Sequence, residues 1–368
     1  MALDTIPLNS EFFGISVGII QENAVAQEVT YLLTMLLKRF PLVLVAALLV
    51  AGCSGQTESA SSPAPSNETS LPTASASPGE VFDPVSLPAL MQTEITGTDL
   101  VVGDAIGSTA NYTRHPVTYK ANEFTISGIM NIPKGEGPFP TLVLGHGYID
   151  TDIYTSGRGL KREQDYLANQ GYIVLHTDYR NHAESDDDPN IDSTLRLGYT
   201  IDVIAAARAL RASGLPQVDT EKIGYLGRSM GGGIGYNVAT VAPNEYDAII
   251  LYAPVSANYV DNFNKWGRNM PAVGNPIIER FGSPEDTPKF WAGISAENYF
   301  DKIDDPIMIH HGSADDTCQL AWSERAADQM QALNKDVTLH IYEGEQHAFG
   351  PQWELSMQRS VEFFKQNL

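Results

Sequence analysis

The chain has 368 residues, 43% of them hydrophobic, with 45 acidic against 23 basic side chains and a net charge of −22. That length and apolar content supply one large buried core. So acidic a surface argues against nucleic acid and anionic lipid as ligands and favours solubility.

Residues 1–34 carry Asp4, Glu11, Glu22 and Glu28 and no basic residue. They are therefore expected to be an extension ahead of a true start at Met35. Residues 35–52 read differently: Lys38 and Arg39 precede the apolar run 40–50, and small residues lead into Cys53. The run is too short to span a bilayer comfortably, and Val50-Ala51-Gly52-Cys53 resembles the cleavage motif of a bacterial lipoprotein signal. That resemblance implies export, lipidation of Cys53, and tethering of the chain to a membrane of the bacterial cell envelope. Cys318 is then left unpaired. Residues 53–80, dominated by Ser, Pro, Ala, Thr and Gly, bury too little to offset their ordering entropy and are expected to form a disordered stalk. Fully stretched, it reaches on the order of 80 Å. Residues 81–111 are expected to wrap the surface of the core formed by residues 112–368.

From residue 112 the pattern becomes regular. An opening hairpin is predicted over 118–120 and 124–132. Strand and helix signals then alternate: strand 141–144, helix 160–169, strand 172–176, helix 194–212, strand 223–226, helix 231–241 and strand 248–252. After an excursion over 253–304 come strand 306–310, helix 319–333, strand 337–342 and helix 352–366. Such alternation predicts an α/β fold, a mostly parallel sheet with helices on both faces, over 112–368. The excursion is longer than a crossover helix needs and holds Tyr259, Phe263, Trp266, Phe281, Phe290, Trp291, Tyr299 and Phe300. These aromatics read equally well as the lining of a cap over the site or as a small satellite core.

The most informative stretch is Gly227-Arg228-Ser229-Met230-Gly231, between an apolar strand and a Gly-rich helix. A sharp strand-to-helix turn leaves no room for side chains beside a nucleophile, so glycines flank a serine whose hydroxyl stands clear of the sheet. Ser229 is the candidate nucleophile. It needs a base and an orienting carboxylate, which in this arrangement follow it in the chain. Among eight histidines only His347 lies in a loop after the acid candidates. Those are Asp315 and Asp316, in the turn closing strand 306–310, where Asp316 also reads as a solvated or capping residue. Strand 141–144 runs into Gly145-His146-Gly147-Tyr148, a turn that can supply a backbone N–H to an oxyanion. Tyr148 and Met230 are the candidate amide donors. Asp186, Asp187, Asp188 and Asp192 match no standard cation loop and read as a solvated acidic turn.

From Tyr112 onward the chain resembles the α/β-hydrolase superfamily, and within it single-domain hydrolases related to the prolyl oligopeptidase catalytic domain and to dienelactone hydrolase. The resemblance rests on Pro138-Phe139-Pro140 with His146-Gly147-Tyr148, on Asp178-Tyr179-Arg180-Asn181-His182, on the serine motif, on His311-Gly312-Ser313-Ala314-Asp315, and on Glu343-Gly344-Glu345-Gln346-His347. It departs at Asn181-His182, where relatives read Gly-His or His-Gly, and at Cys318, where valine is common. The resemblance favours Asp315 as the acid and implies a Ser229-His347-Asp315 serine hydrolase working through an acyl-enzyme, with no metal or organic cofactor. It implies an ester or short peptide as substrate. No gating propeller is legible ahead of Tyr112, which weights the expectation toward carboxylic esters. A small exported peptidase is the alternative, and a non-catalytic binding lipoprotein on the same fold the alternative of another class. Oligomeric state is not legible.

Overall fold

The computed structural model describes residues 82–368. The sequence features assigned to residues 1–81, including the lipoprotein-like motif at Cys53 and the stalk, lie outside the described residues.

Ten strands form one mixed sheet. They are β1 (Gly97–Val102), β2 (Gly107–Ser108), β3 (Tyr112–Ala121), β4 (Phe124–Pro133), β5 (Phe139–Gly145), β6 (Ile173–Thr177), β7 (Val218–Arg228), β8 (Ala248–Tyr252), β9 (Ile307–Gly312) and β10 (Val337–Tyr342). The order is β1-β3-β4-β6-β5-β7-β8-β9-β10, with β2 paired to β3. Strands β6, β5, β7, β8, β9 and β10 run parallel, and β4 joins them antiparallel through β6. Strands β6, β8 and β9 are buried along their whole length, which explains their unbroken apolar runs: helices cover both faces.

On one face lie α2 (Lys161–Asn169) and α9 (Trp353–Asn367), closed by Leu167, Met357 and Phe364. On the other lie α1 (Leu87–Met91), α3 (Gly198–Ala212), α4 (Met230–Val241) and α8 (Leu320–Ala332), packed through Leu87, Val203, Tyr236 and Met330. The fold is thus the mostly parallel sheet with helices on both faces that the alternating pattern predicts, and it has the α/β-hydrolase form that the resemblance implies.

Three expectations need correction. Residues 81–111 do not simply wrap the surface: Leu87 is buried in the core, and β1 and β2 extend the sheet beyond β3. The small residues of α3 make this possible, since Gly97 lies so close to the Ala205 carbonyl that a Cβ there would clash. Helix α3 begins at Gly198 rather than 194, because Leu195 and Arg196 adopt positive φ (52° and 61°) that no helix accommodates. Finally, the buried aromatics of the excursion form no separate satellite core: Phe263, Trp291 and Phe300 join the main core on the face of α3, α4 and α8. The excursion contains α5 (Tyr259–Asn262), α6 (Pro271–Phe281) and α7 (Pro288–Gly293). Phe281 and Phe290 stack at 4.3 Å, the Phe263 and Trp291 rings meet tilted at 4.7 Å, and Phe263, Trp291 and Phe300 are fully buried.

Just ahead of β9, burial pushes the Asp305 carboxyl up to about 7. The unfolded chain ionises this group near pH 4, so its contribution to stability is present at pH 4 and is lost as pH rises to 7. Asp305→Asn is expected to melt several degrees above the parent at pH 8 and together with it at pH 4. Equal melting at both pH values in paired thermal scans would refute this.

Candidate active site

The parallel strands deliver their C-terminal ends to one edge of the sheet, where the loops after β5, β7, β9 and β10 meet. Ser229 follows β7 directly, with φ 57° and ψ −117°, and α4 starts at the next residue. This strained backbone is pinned on both sides: the Ser229 amide donates to Tyr252 O (2.9 Å), and its carbonyl accepts from Gly233 and Val255 (3.1 Å each). Glycine is required around it by contact. A Cβ on Gly227 would lie 2.3 Å from Gly231 O, and one on Gly231 would lie 2.1 Å from Gly145 O.

That second contact carries the β5 turn against the elbow, so that Gly147 lies beside the Ser229 side chain. The Tyr148 and Met230 amides donate to no acceptor among the described residues, leaving both available to an oxyanion. The turn is anchored from behind by His146, whose Nδ1 lies 2.7 Å from Gly147 O and whose ring packs on Tyr154 and Tyr179 at 4.7 and 4.5 Å. Burial, reinforced by the nearby His176, pulls His146 down to about 3, so it is neutral at pH 7. Asp178 completes the support. It accepts from Tyr154 and Ser156 hydroxyls (2.6 Å each), Ser127 (2.8 Å) and the Gly157 amide (3.0 Å).

Asp315 and His347 are brought together directly, with His347 Nδ1 2.8 Å from Asp315 Oδ2. The Asp315 carboxylate is fully buried and the His347 ring 18% exposed, so the imidazole keeps one edge toward solvent. The other carboxylate oxygen accepts from the amides of Thr317 (2.9 Å) and Cys318 (2.8 Å). Burial alone would raise the Asp315 carboxyl, but the contacts from His311, His347 and the Cys318 amide outweigh it and hold the group well below the usual carboxylate range. Asp316 is exposed and turned away, with its carbonyl bonded by Lys265 Nζ at 2.8 Å. Cys318 of the acid loop is buried, and its thiol is pushed up to about 12 by burial and by the charge of Asp315.

The loop carrying His347 is fastened at several points. Glu345 accepts from the amides of Gly350 and Gln352, its carbonyl accepts from Ala314, and Ser313 accepts from Gly344. Arg162 of α2 donates to the carbonyls of Ala348 (2.9 Å) and Phe349 (3.2 Å). The sequence assigns no role to His146, Asp178, Glu345 or Arg162, although the first three lie within the stretches that carry the resemblance; Arg162 lies outside them.

Beside Tyr148 lies a cavity of about 170 Å³, lined in part by His182, Asp192, Arg196 and Tyr199. The Arg196 guanidinium lies 5.0 Å over the Tyr148 ring, and its Nε bonds Asp192 at 3.0 Å. Carboxylates of the acidic turn are engaged by other partners. Asp186 accepts from the Thr125 amide, and Asp188 bonds Arg180, which also pairs with Asp202.

The fold is that of the α/β-hydrolases. The family model of the prolyl oligopeptidase family matches residues 159–368, and the chain belongs to that family. It is similar to esterase EstD of Thermotoga maritima, 27% identical over 210 residues covering 53% of this chain and 49% of that protein. It is also similar to the uncharacterized peptidase YtmA of Bacillus subtilis, 21% identical over 239 residues, or 65% of this chain and 87% of that one. The chain spans about half the length, or less, of the first curated relatives it matches. Acetyl xylan esterase 1 from Thermoanaerobacterium sp. shares the fold, with a TM-score of 0.59 at 16% identity over 76% of this chain and 92% of that one.

Because the elbow depends on backbone contact, Gly231→Ala is expected to cost several kcal/mol in urea unfolding. Gly107→Ala, where a Cβ meets its first neighbour at 3.7 Å, is expected to stay within about 0.5 kcal/mol of the parent. Similar losses in both would refute the contact argument.

Proposed function

We propose that the protein is a serine hydrolase of carboxylic esters working through a Ser229-His347-Asp315 triad and an acyl-enzyme. The observation that supports this most is the buried Asp315 carboxylate on His347 Nδ1; Ser229 stands in a strained strand-to-helix turn at the same edge of the sheet. In this reading His347 Nε2 takes the Ser229 proton as Oγ attacks the ester carbonyl, and Asp315 fixes the tautomer and stabilises the imidazolium. The Tyr148 and Met230 amides hold the tetrahedral oxyanion, a contribution of about 3 kcal/mol per donor. Collapse breaks the C–O bond, and the leaving alkoxide takes the proton from His347. Water activated by the same histidine then attacks the acyl-enzyme and restores Ser229. The chemistry asks for no cofactor.

The cavity beside Tyr148, about 170 Å³, supports a small group next to the scissile bond, since it is well below the several hundred Å³ of sites that take larger ligands. Acetyl and butyryl p-nitrophenyl esters are therefore expected to turn over faster than octanoyl or longer ones. Ser229→Ala is expected to abolish fluorophosphonate labelling, and Asp315→Asn to lower kcat by about 10⁴-fold. Asp316→Asn is expected to leave kcat near the parent value. Equal losses in the two aspartate variants would undo the choice of acid.

The family assignment favours a second reading, a small peptidase. Aminoacyl-anilide turnover exceeding ester turnover would establish it. A folded protein that takes no label would instead favour a non-catalytic binding module.

We also propose that the chain is exported and lipid-anchored through Cys53, a reading supported by Val50-Ala51-Gly52-Cys53 after a basic and then apolar segment. Labelling with a radioactive fatty acid in a bacterial host is expected for the parent and lost in Cys53→Ala. Label retained in the variant, or absent from the parent, would refute it.

A further inference from the structure

We infer that His311, buried at the end of β9, is a positioning residue that holds the acid loop and fixes Asp315 in register with His347; the inference rests on the triad reading above. The ring is gripped at both nitrogens. Its Nδ1 is 2.7 Å from Ser323 Oγ, and its Nε2 is 3.0 Å from Cys318 O and 3.4 Å from Asp315 Oδ2. A carbonyl and a carboxylate only accept, so Nε2 carries the proton. In the neutral ring Nδ1 then accepts from the Ser323 hydroxyl, and that bond selects the tautomer.

This geometry has two consequences. Asp315 Oδ2 faces two imidazole N–H groups, His347 Nδ1 at 2.8 Å and His311 Nε2 at 3.4 Å, and only the first belongs to a residue with an exposed edge. The Cys318 peptide is held at both ends: its carbonyl accepts from His311, and its amide donates to the other Asp315 oxygen at 2.8 Å. Rotation of the carboxylate away from His347 would break the amide bond on one side and lose the imidazole contact on the other. The partners of His311 are Ser323, Cys318 and Asp315, so it acts through the acid loop. A fully buried imidazole with both nitrogens engaged is also a poor space-filler, because an apolar residue would fill the site without needing these partners.

The test compares His311→Leu, His311→Gln, Ser323→Ala and Asp315→Asn in the full chain. It uses p-nitrophenyl acetate kinetics, thermal melting, and the low-field proton signal of the His347 Nδ1–H bonded to Asp315. His311→Leu is expected to lower kcat by on the order of ten-fold with KM near the parent value and to move the low-field signal. His311→Gln, whose side-chain amide can present N–H where Nε2 stands, is expected to recover most of the kcat and the signal position. Ser323→Ala, which frees the tautomer but keeps the ring, is expected to lower kcat several-fold and carries the test if His311→Leu does not fold. Parent-like kcat and an unmoved signal in folded His311→Leu, or in Ser323→Ala should it stand alone, would overturn the inference. So would a glutamine variant no better than leucine. Full turnover in Asp315→Asn would overturn the triad and this inference together, whereas turnover lost there but intact in His311→Leu overturns this inference alone.

Discussion

The approach of two backbones, Gly231 at the start of α4 and Gly145 at the end of β5, is the constraint on which the rest of the edge depends. The Gly145 carbonyl lies where a Cβ of residue 231 would be, so helix and turn meet main chain to main chain. That closeness puts Gly147 against the Ser229 side chain, so two segments far apart in the chain are locked together by packing at the point where the serine stands. The Tyr225 hydroxyl, bonded to Gly231 O at 2.7 Å, closes the same contact from below.

Around this point the loops are stiffened by buried polar groups with several partners each. Asp178 ties the loop over 154–157 to strand β4 behind the β5 turn through four donors, and Glu345 folds the His347 loop over its own side chain. Buried carboxylates are costly unless their acceptor capacity is filled, and here filling it fixes the neighbouring backbone. Arg162, stacked on Trp353 at 4.4 Å, extends this support from α2 to the last helix. The positive φ values at Tyr179, Asn181, Leu195 and Arg196 belong to the same region, where strain persists because the contacts on either side over-determine the path.

Much of this was legible in the residues. The parallel strands announced themselves because strands buried on both faces must be apolar throughout, and Ile249 to Leu251 or Ile307 to Ile309 allow no other reading. The serine motif was legible because close approach admits only glycine. What escaped has physical reasons. Strand β1, with Asp99 at positive φ and an alternating, half-exposed face, gives a signal no stronger than a loop. The excursion's aromatics join the main core through contacts between residues far apart in sequence, which no local period reveals. Asp315 and Asp316 are the same residue type side by side, and only three-dimensional placement separates the buried carboxylate on His347 from the exposed one beside Lys265.

The anchoring of the His347 loop by Arg162 also has a bearing on time. Strand β5, its turn and α2 precede α4 in the chain, but the Ser229 turn is pinned only once Tyr252 and Val255 are in place, and the loop that carries His347 comes after every strand of the sheet and is held by a residue nearly two hundred positions earlier. A growing chain therefore carries Ser229 long before His347 can take its place, and this edge of the sheet is finished from its two ends, when the last loop settles on Arg162.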